Sequence, residues 1–149
     1  MTKRKKKQTG LHIAARRHLG VPFKHRGRDP QKGIDCVGLA VLAAIECGWT
    51  VQDLPVYGRL PKDGQLEAQL AANASLAHTN PTLDQLQPGD LVAIRFSPRD
   101  AVRHVGIVGD HPHGLSLIHT DSHIGRVVEQ RIDSHVLARI AAVYRRASL

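Results

Sequence analysis

The sequence predicts an α+β domain, and two observations carry that reading. Residues 36–47 form an apolar run rich in Ala and Leu, opened by Asp35 and stopped by Gly48. Asp is a strong N-cap because its carboxylate accepts the free N–H groups of a first helical turn, and Gly is common just past a helix end. From Leu86 onward the texture changes to short aliphatic runs separated by Pro-Gly, Gly-Asp and His-Pro-His-Gly turns. That is the pattern of an antiparallel meander. Helices first and strands later is an α+β arrangement, and 149 residues is the size of one domain.

The elements follow in order. Lys3, Arg4, Lys5, Lys6 and Lys7 supply much of the formal net charge of +8. A like-charge run of this kind reads as a disordered, solvated tail, residues 1–8, ahead of a domain at 9–149. Such charge supports only salt-sensitive, non-specific contact with nucleic acid or an anionic polymer. Aromatic residues at 3% leave no stacking platform for single strands. No specific nucleic-acid partner is expected. Thr9 to His18 has helical spacing, ended by Gly20 and Pro22. Its apolar residues are interrupted by His12, Arg16, Arg17 and His18, so it lacks the apolar segment of a secretory signal. No run approaches the roughly 20 apolar residues that cross a bilayer, and no membrane insertion is expected.

Residues 20–34 read as a loop carrying Lys24, His25, Arg26, Arg28 and Lys32. Leading into the apolar helix, it is expected to wall a substrate groove. Within the helix, Cys36 falls in the first turn, where unpaired N–H groups and the helix dipole favour negative charge. That position is expected to lower its pKa from about 8.5 and give a nucleophilic thiolate. Cys47 reads as a small core hydrophobe. Eleven residues apart on one helix, the two sulfurs are out of disulfide range, at roughly 16 Å between Cα atoms against a limit of about 7 Å. Both thiols are expected free, as in a reducing compartment.

Residues 49–64 read as irregular and 65–77 as helical, with nothing catalytic in either. Strands are expected at 91–96, 104–108, 115–120, 126–132 and 138–144, a roughly five-stranded antiparallel sheet. A hairpin turn at 111–114 would set Val108 near Leu115 and bring His104 close to His119. Two imidazoles facing a helix that begins with Cys give a Cys–His–His set. One takes the thiol proton and the other fixes its tautomer and orientation. His104, His111, His113, His119, His123 and Asp121 could be metal ligands, but no pair has a familiar zinc spacing. Neither a metal nor a cofactor is expected.

Four segments then carry a resemblance: G-V-P-F-K-H-R-G-R-D-P-Q-K-G-I-D-C-V-G-L from Gly20, L-Q-P-G-D-L-V from Leu86, H-V-G-I-V from His104, and L-I-H-T from Leu117. Together, in this order and over roughly residues 10–145, they resemble the NlpC/P60 family of cell-wall cysteine peptidases. The His-x-Gly-Arg form of the first loop is closest to members encoded by bacteriophages and prophages, often linked with tail proteins. The resemblance implies a compact papain-like α+β domain with its Cys helix packed on the sheet. It implies Cys36 as nucleophile, His104 as base and His119 as third polar residue. The implied reaction is hydrolysis of peptidoglycan stem peptides, commonly between D-glutamate and the diamino acid.

The same resemblance places Asp35, Phe23, His25 and Arg28 at the substrate. Phe23 stands where many members have a Tyr, and His25 is the substitute donor. Val37 stands where many have a Ser that helps Asp35 hold a free peptide amine, so a strict need for a free L-Ala terminus is not expected. The protein is expected to be made in the bacterial cytoplasm without a signal peptide and to act on the cell wall. Its expected partners are the stem peptide and, in a virion-associated form, phage tail proteins. The alternatives are a non-catalytic peptidoglycan-binding tail component and a related thioester-forming amidase or acyltransferase.

Overall fold

Asp35 acts as its residue type predicts. Its Oδ1 accepts the Gly38 N–H at 2.8 Å, and a helix starts directly behind it. In the computed structural model, which describes residues 10–54, 57–58, 61–111 and 113–146, the elements in chain order are these. Helix α1 (Leu11–Arg16) leads to a short hairpin, β1 (Arg28–Asp29) and β2 (Gly33–Ile34). Helix α2 (Cys36–Glu46) and helix α3 (Gln65–Ala71) follow. Strands β3 (Ser75–Thr79), β4 (Leu91–Ile94), β5 (His104–His111), β6 (Gly114–His119) and β7 (Val128–Arg131) precede helix α4 (Ser134–Arg139) and strand β8 (Ile140–Arg145). The basic run at 1–8 and Pro112 of the expected hairpin turn lie outside the described residues.

The α+β class holds, with six antiparallel strands in the main sheet, ordered β3-β8-β4-β5-β6-β7. The expected meander is β4 to β7. Two corrections concern its margins. The Ala-rich stretch expected to be helical to residue 77 stops at Ala71, and 75–79 pair with β8 instead. Strand pairing there outweighs helix propensity, which is a weak prior. The strand expected at 138–144 starts at Ile140, because Asp133 caps a preceding turn of helix by accepting the Val136 N–H at 2.9 Å. The hairpin register also differs: Val108 pairs with Leu117, and Leu115 with Asp110.

Alternate residues of the sheet feed two cores. Leu91, Ala93, Val105, Ile107 and Ile118 pack with α1, α2 and α3 residues such as Ala14, Leu39, Ala43 and Leu66. Val92, Ile94, Val108, Leu117 and Val143 pack on the other face, with Val136 of α4. The first turn of α2 also needs a glycine. A Cβ on Gly38 would run into the Gly27 carbonyl oxygen, so the segment entering β1 can lie this close to α2 only because position 38 has no side chain.

Candidate active site

The start of α2 is held by a closed polar network around Asp35, which is 3% exposed. Oδ1 accepts from the Gly38 N–H and from Arg28 Nη1 at 3.0 Å, and Oδ2 accepts from the Arg26 N–H at 2.8 Å and the Tyr57 hydroxyl at 2.6 Å. Four bonds fill the acceptor capacity of a carboxylate. Arg28 is equally saturated. Its Nε and Nη2 grip Asp53 at 2.8 and 3.1 Å, Nη1 also reaches the Gly27 carbonyl, and Nη2 donates to the Tyr57 oxygen at 3.0 Å. The network joins residues from the first loop, the helix start and the irregular 49–64 segment. It fixes where Cys36 sits.

Cys36 is partly exposed at one wall of a groove of about 290 Å³. Phe23, His25, Tyr57, Arg103, His104 and Asp121 also line the groove. The expected low thiol pKa is corrected here. Burial, and after it the Asp35 carboxylate, push Cys36 up to about 12, although N–H groups of Val105 and Val37 favour the thiolate. The dipole argument is local, and desolvation beside a fixed carboxylate outweighs it.

His104, the first residue of β5, and His119, the last of β6, lie on one face of the sheet. His104 Nε2 is 2.8 Å from His119 Nδ1, and His119 Nε2 is 2.7 Å from Gln130 Oε1. With the amide oxygen toward the ring, Gln130 can only accept. His119 therefore carries its proton on Nε2 and accepts on Nδ1, so His104 donates from Nε2. That leaves His104 Nδ1 as a lone-pair acceptor, the tautomer of a base. Burial first, then His119, push His104 below its ordinary 6.5, with Asp121 opposing. Burial lowers His119 too, against Gln130 and Asp121. Thiol and imidazole thus rest neutral.

These shifts set a stability window. Between the lowered histidine values and 6.5 the unfolded chain binds more protons than the folded one, so stability falls as pH drops below 6.5. Above 9.0 the folded chain keeps the Cys36 proton that the unfolded chain loses, so stability falls as pH rises from 9.0 toward 12. Urea midpoints should therefore form a plateau between these limits and drop on both sides. For the acid limb, His104→Gln with His119→Gln should flatten the slope. An unchanged slope would mean that the imidazoles are not held neutral.

Of the residues expected at the substrate, Phe23 and His25 line the groove, and His25 stands edge-on to Tyr57 at 5.7 Å between ring centroids. Asp35 lines it with every acceptor site taken. Arg28 does not line it, and neither do Lys24, Arg26 or Lys32. The expected cationic wall is replaced by Arg103, which is bonded to the Pro61 carbonyl and paired with Asp63. Tyr57 and Gln130 were not expected. Among the described residues no group of three His, Cys, Asp or Glu side chains could hold a metal ion, and no helix is long and apolar enough to cross a membrane.

Neither a protein-family model nor a curated protein matches the chain. Solved structures do. An NlpC/P60 family protein from Bacillus cereus is similar at a TM-score of 0.64 and 19% identity, over 91% of this chain and 39% of that one. The NlpC/p60 domain of the peptidoglycan hydrolase SagA is similar at 0.56 and 20%, over 91% of this chain and 96% of the domain. An N-acetylmuramoyl-L-alanine amidase from Bacteroides uniformis is similar at 0.57 and 12%, over 91% and 95%. The chain thus spans 39% of the Bacillus protein's length and nearly all of the SagA domain. The fold is that of the NlpC/P60 proteins.

Proposed function

We propose that this protein is a cysteine peptidase of peptidoglycan stem peptides, cutting between D-glutamate and the diamino acid. The observation that carries the reading is the relay Gln130–His119–His104, whose His104 end lines the same groove as Cys36. Fold neighbours that include a peptidoglycan hydrolase and an amidase support the substrate class.

In this mechanism His104 Nδ1 takes the Cys36 proton as the sulfur attacks the D-glutamyl side-chain carbonyl, because the resting pair is neutral. The backbone N–H of Cys36 at the helix start holds the oxyanion, an interaction often worth about a hundredfold or more in rate. His25, in the groove, is the second donor in place of the hydroxyl that Phe23 lacks. The C–N bond breaks, His104 gives its proton to the departing amine, and the acyl group stays on sulfur as a thioester. Water deprotonated by His104 then releases it. With Asp35 saturated and Val37 unable to bond, no free L-Ala amine is required. The phage or prophage setting, with tail proteins as partners, is part of the same proposal and follows from the first-loop resemblance.

His119→Ala and Gln130→Ala should each lower kcat about 10- to 100-fold with little change in KM, since they act on tautomer and orientation rather than on binding. His119→Asn, which still presents an acceptor, should retain more activity than His119→Ala. Equal activity in all three variants and wild type would remove the relay. The bond itself is read by mass spectrometry of purified muropeptides. Fragments ending in D-glutamate support the endopeptidase. Lactoyl-free stem peptides starting at L-Ala would give the amidase reading, which the Bacteroides neighbour favours. Binding without cleavage would give the tail-component reading.

A further inference from the structure

His104 stands between two cavities, the groove at Cys36 and a smaller pocket of about 90 Å³ that also holds His119 and Gln130. When His104 takes the thiol proton it becomes a cation, and a cation held away from water needs a counter-charge. In a triad that ends in a carboxylate, the carboxylate holds that charge. Here the relay supplies none. His104 donates to a neutral imidazole, and that ring donates to the neutral amide of Gln130. The neighbouring cations oppose it: Arg103 in the groove, and Arg95 and Arg139 in the pocket. The other imidazoles at the groove are His25 and His123. Among the described residues two carboxylates line these cavities, Asp35 and Asp121. Asp35 has all four acceptor sites taken, and its charge bears on the Cys36 thiol after burial.

Asp121 lines both cavities and lies two residues past His119, the last residue of β6. A turn fixes it. Its Oδ1 accepts the Ile124 N–H at 2.7 Å, and its carbonyl accepts the Gly125 N–H at 2.8 Å. Among the described residues its Oδ2 makes no hydrogen bond and its carboxylate no ion pair. We propose that Asp121 is a positioning residue for the reaction, an unspent carboxylate that acts on His104 through space and steadies the imidazolium formed when the thiol gives up its proton. The inference rests on the peptidase reading. Burial, with His119 after it, lowers His104, and burial lowers His119; Asp121 works against both. Behind burial and Asp35, it is also a minor cause of the raised Cys36 thiol. The balance favours the step, because negative charge leaves the sulfur for the oxyanion as the bond forms, while the positive charge stays on His104.

The test is Asp121→Asn, which keeps an acceptor for the Ile124 N–H and removes only the charge. It should lower kcat for a stem peptide about tenfold, the effect of one pKa unit at the base, with KM nearly unchanged. In the His104→Gln protein, alkylation of Cys36 needs a bare thiolate. There the same substitution should speed iodoacetamide labelling about two- to threefold, because a negative neighbour of the sulfur is gone. A merely structural role would slow both reactions. Labelling that slows or stays put, or a kcat that does not fall while cleavage is intact, overturns the inference alone. The second arm needs no substrate. In the Cys36→Ala protein the His104 and His119 ring signals are followed by NMR as pH falls, and Asp121→Asn should move their protonation to lower pH. Unmoved titrations overturn the inference whatever the cleavage. Titrations that move, with no cleavage by wild type, overturn the peptidase reading alone.

Discussion

Cys36→Ala is expected to leave stem-peptide cleavage near the uncatalysed level, a loss of about 10⁵-fold or more in turnover, as when a nucleophile that works as one unit with its base is removed. The other thiol cannot substitute. Cys47 closes the opposite end of α2 and does not line the groove. The fold should survive, because α2 is started by Asp35 and not by the sulfur, and Cys36 is itself partly exposed. Sacculus binding by the variant should therefore persist while fragments disappear. Cleavage by Cys36→Ala within tenfold of wild type would place the chemistry on another residue.

The second large effect is on stability. Asp35→Ala should cost about 3–5 kcal/mol, the scale of breaking one partner out of a buried charged network, and the capping share alone is about 1 kcal/mol. The substitution removes the acceptor of the Tyr57 hydroxyl and of the N–H groups of Arg26 and Gly38 at once, and one of the two acceptors of Arg28 Nη1. Arg28 keeps Asp53, which bounds the loss. Asp35→Asn keeps an acceptor at Gly38 and should fall between. Urea unfolding checks this order, and an Ala variant within about 1 kcal/mol of wild type would mean that the network is not what holds the helix start. Activity should fall with stability, since the same bonds position Cys36.

What could be read beforehand was local. The helix at 36–47 announces itself by its cap, its apolar run and its closing glycine, and His104 and His119 by lying on consecutive strands. Tyr57 gave no such signal. It sits in a segment without periodicity, and its role exists only because Asp35 and Arg28, over 20 residues away in sequence, come to meet it. Gln130 looks like one of several polar residues on an edge strand. Only the register that pairs it with Leu117, two residues before His119 on the same face, brings its amide to the ring. Arg28 read as a free cation because a one-dimensional view shows its charge and not the three oxygens from Asp35 and Asp53 that neutralise it. The Cys36 thiol departs from its expected direction for the same reason. The helix dipole is visible in a sequence, but burial and the direction of a neighbouring carboxylate are not.

The central claim is that the amide is opened through a thioester on Cys36, with His104 as its base. It is tested most directly by nucleophile trapping. A stem peptide containing the D-glutamyl–diamino acid bond is digested in the presence of hydroxylamine, and the products are separated by mass. A thioester partitions between water and hydroxylamine, so wild type should yield the D-glutamyl hydroxamate beside the carboxylate, and Cys36→Ala should yield neither. Rapid cleavage giving carboxylate alone at rising hydroxylamine, or hydroxamate from the Cys36→Ala protein, would contradict the account.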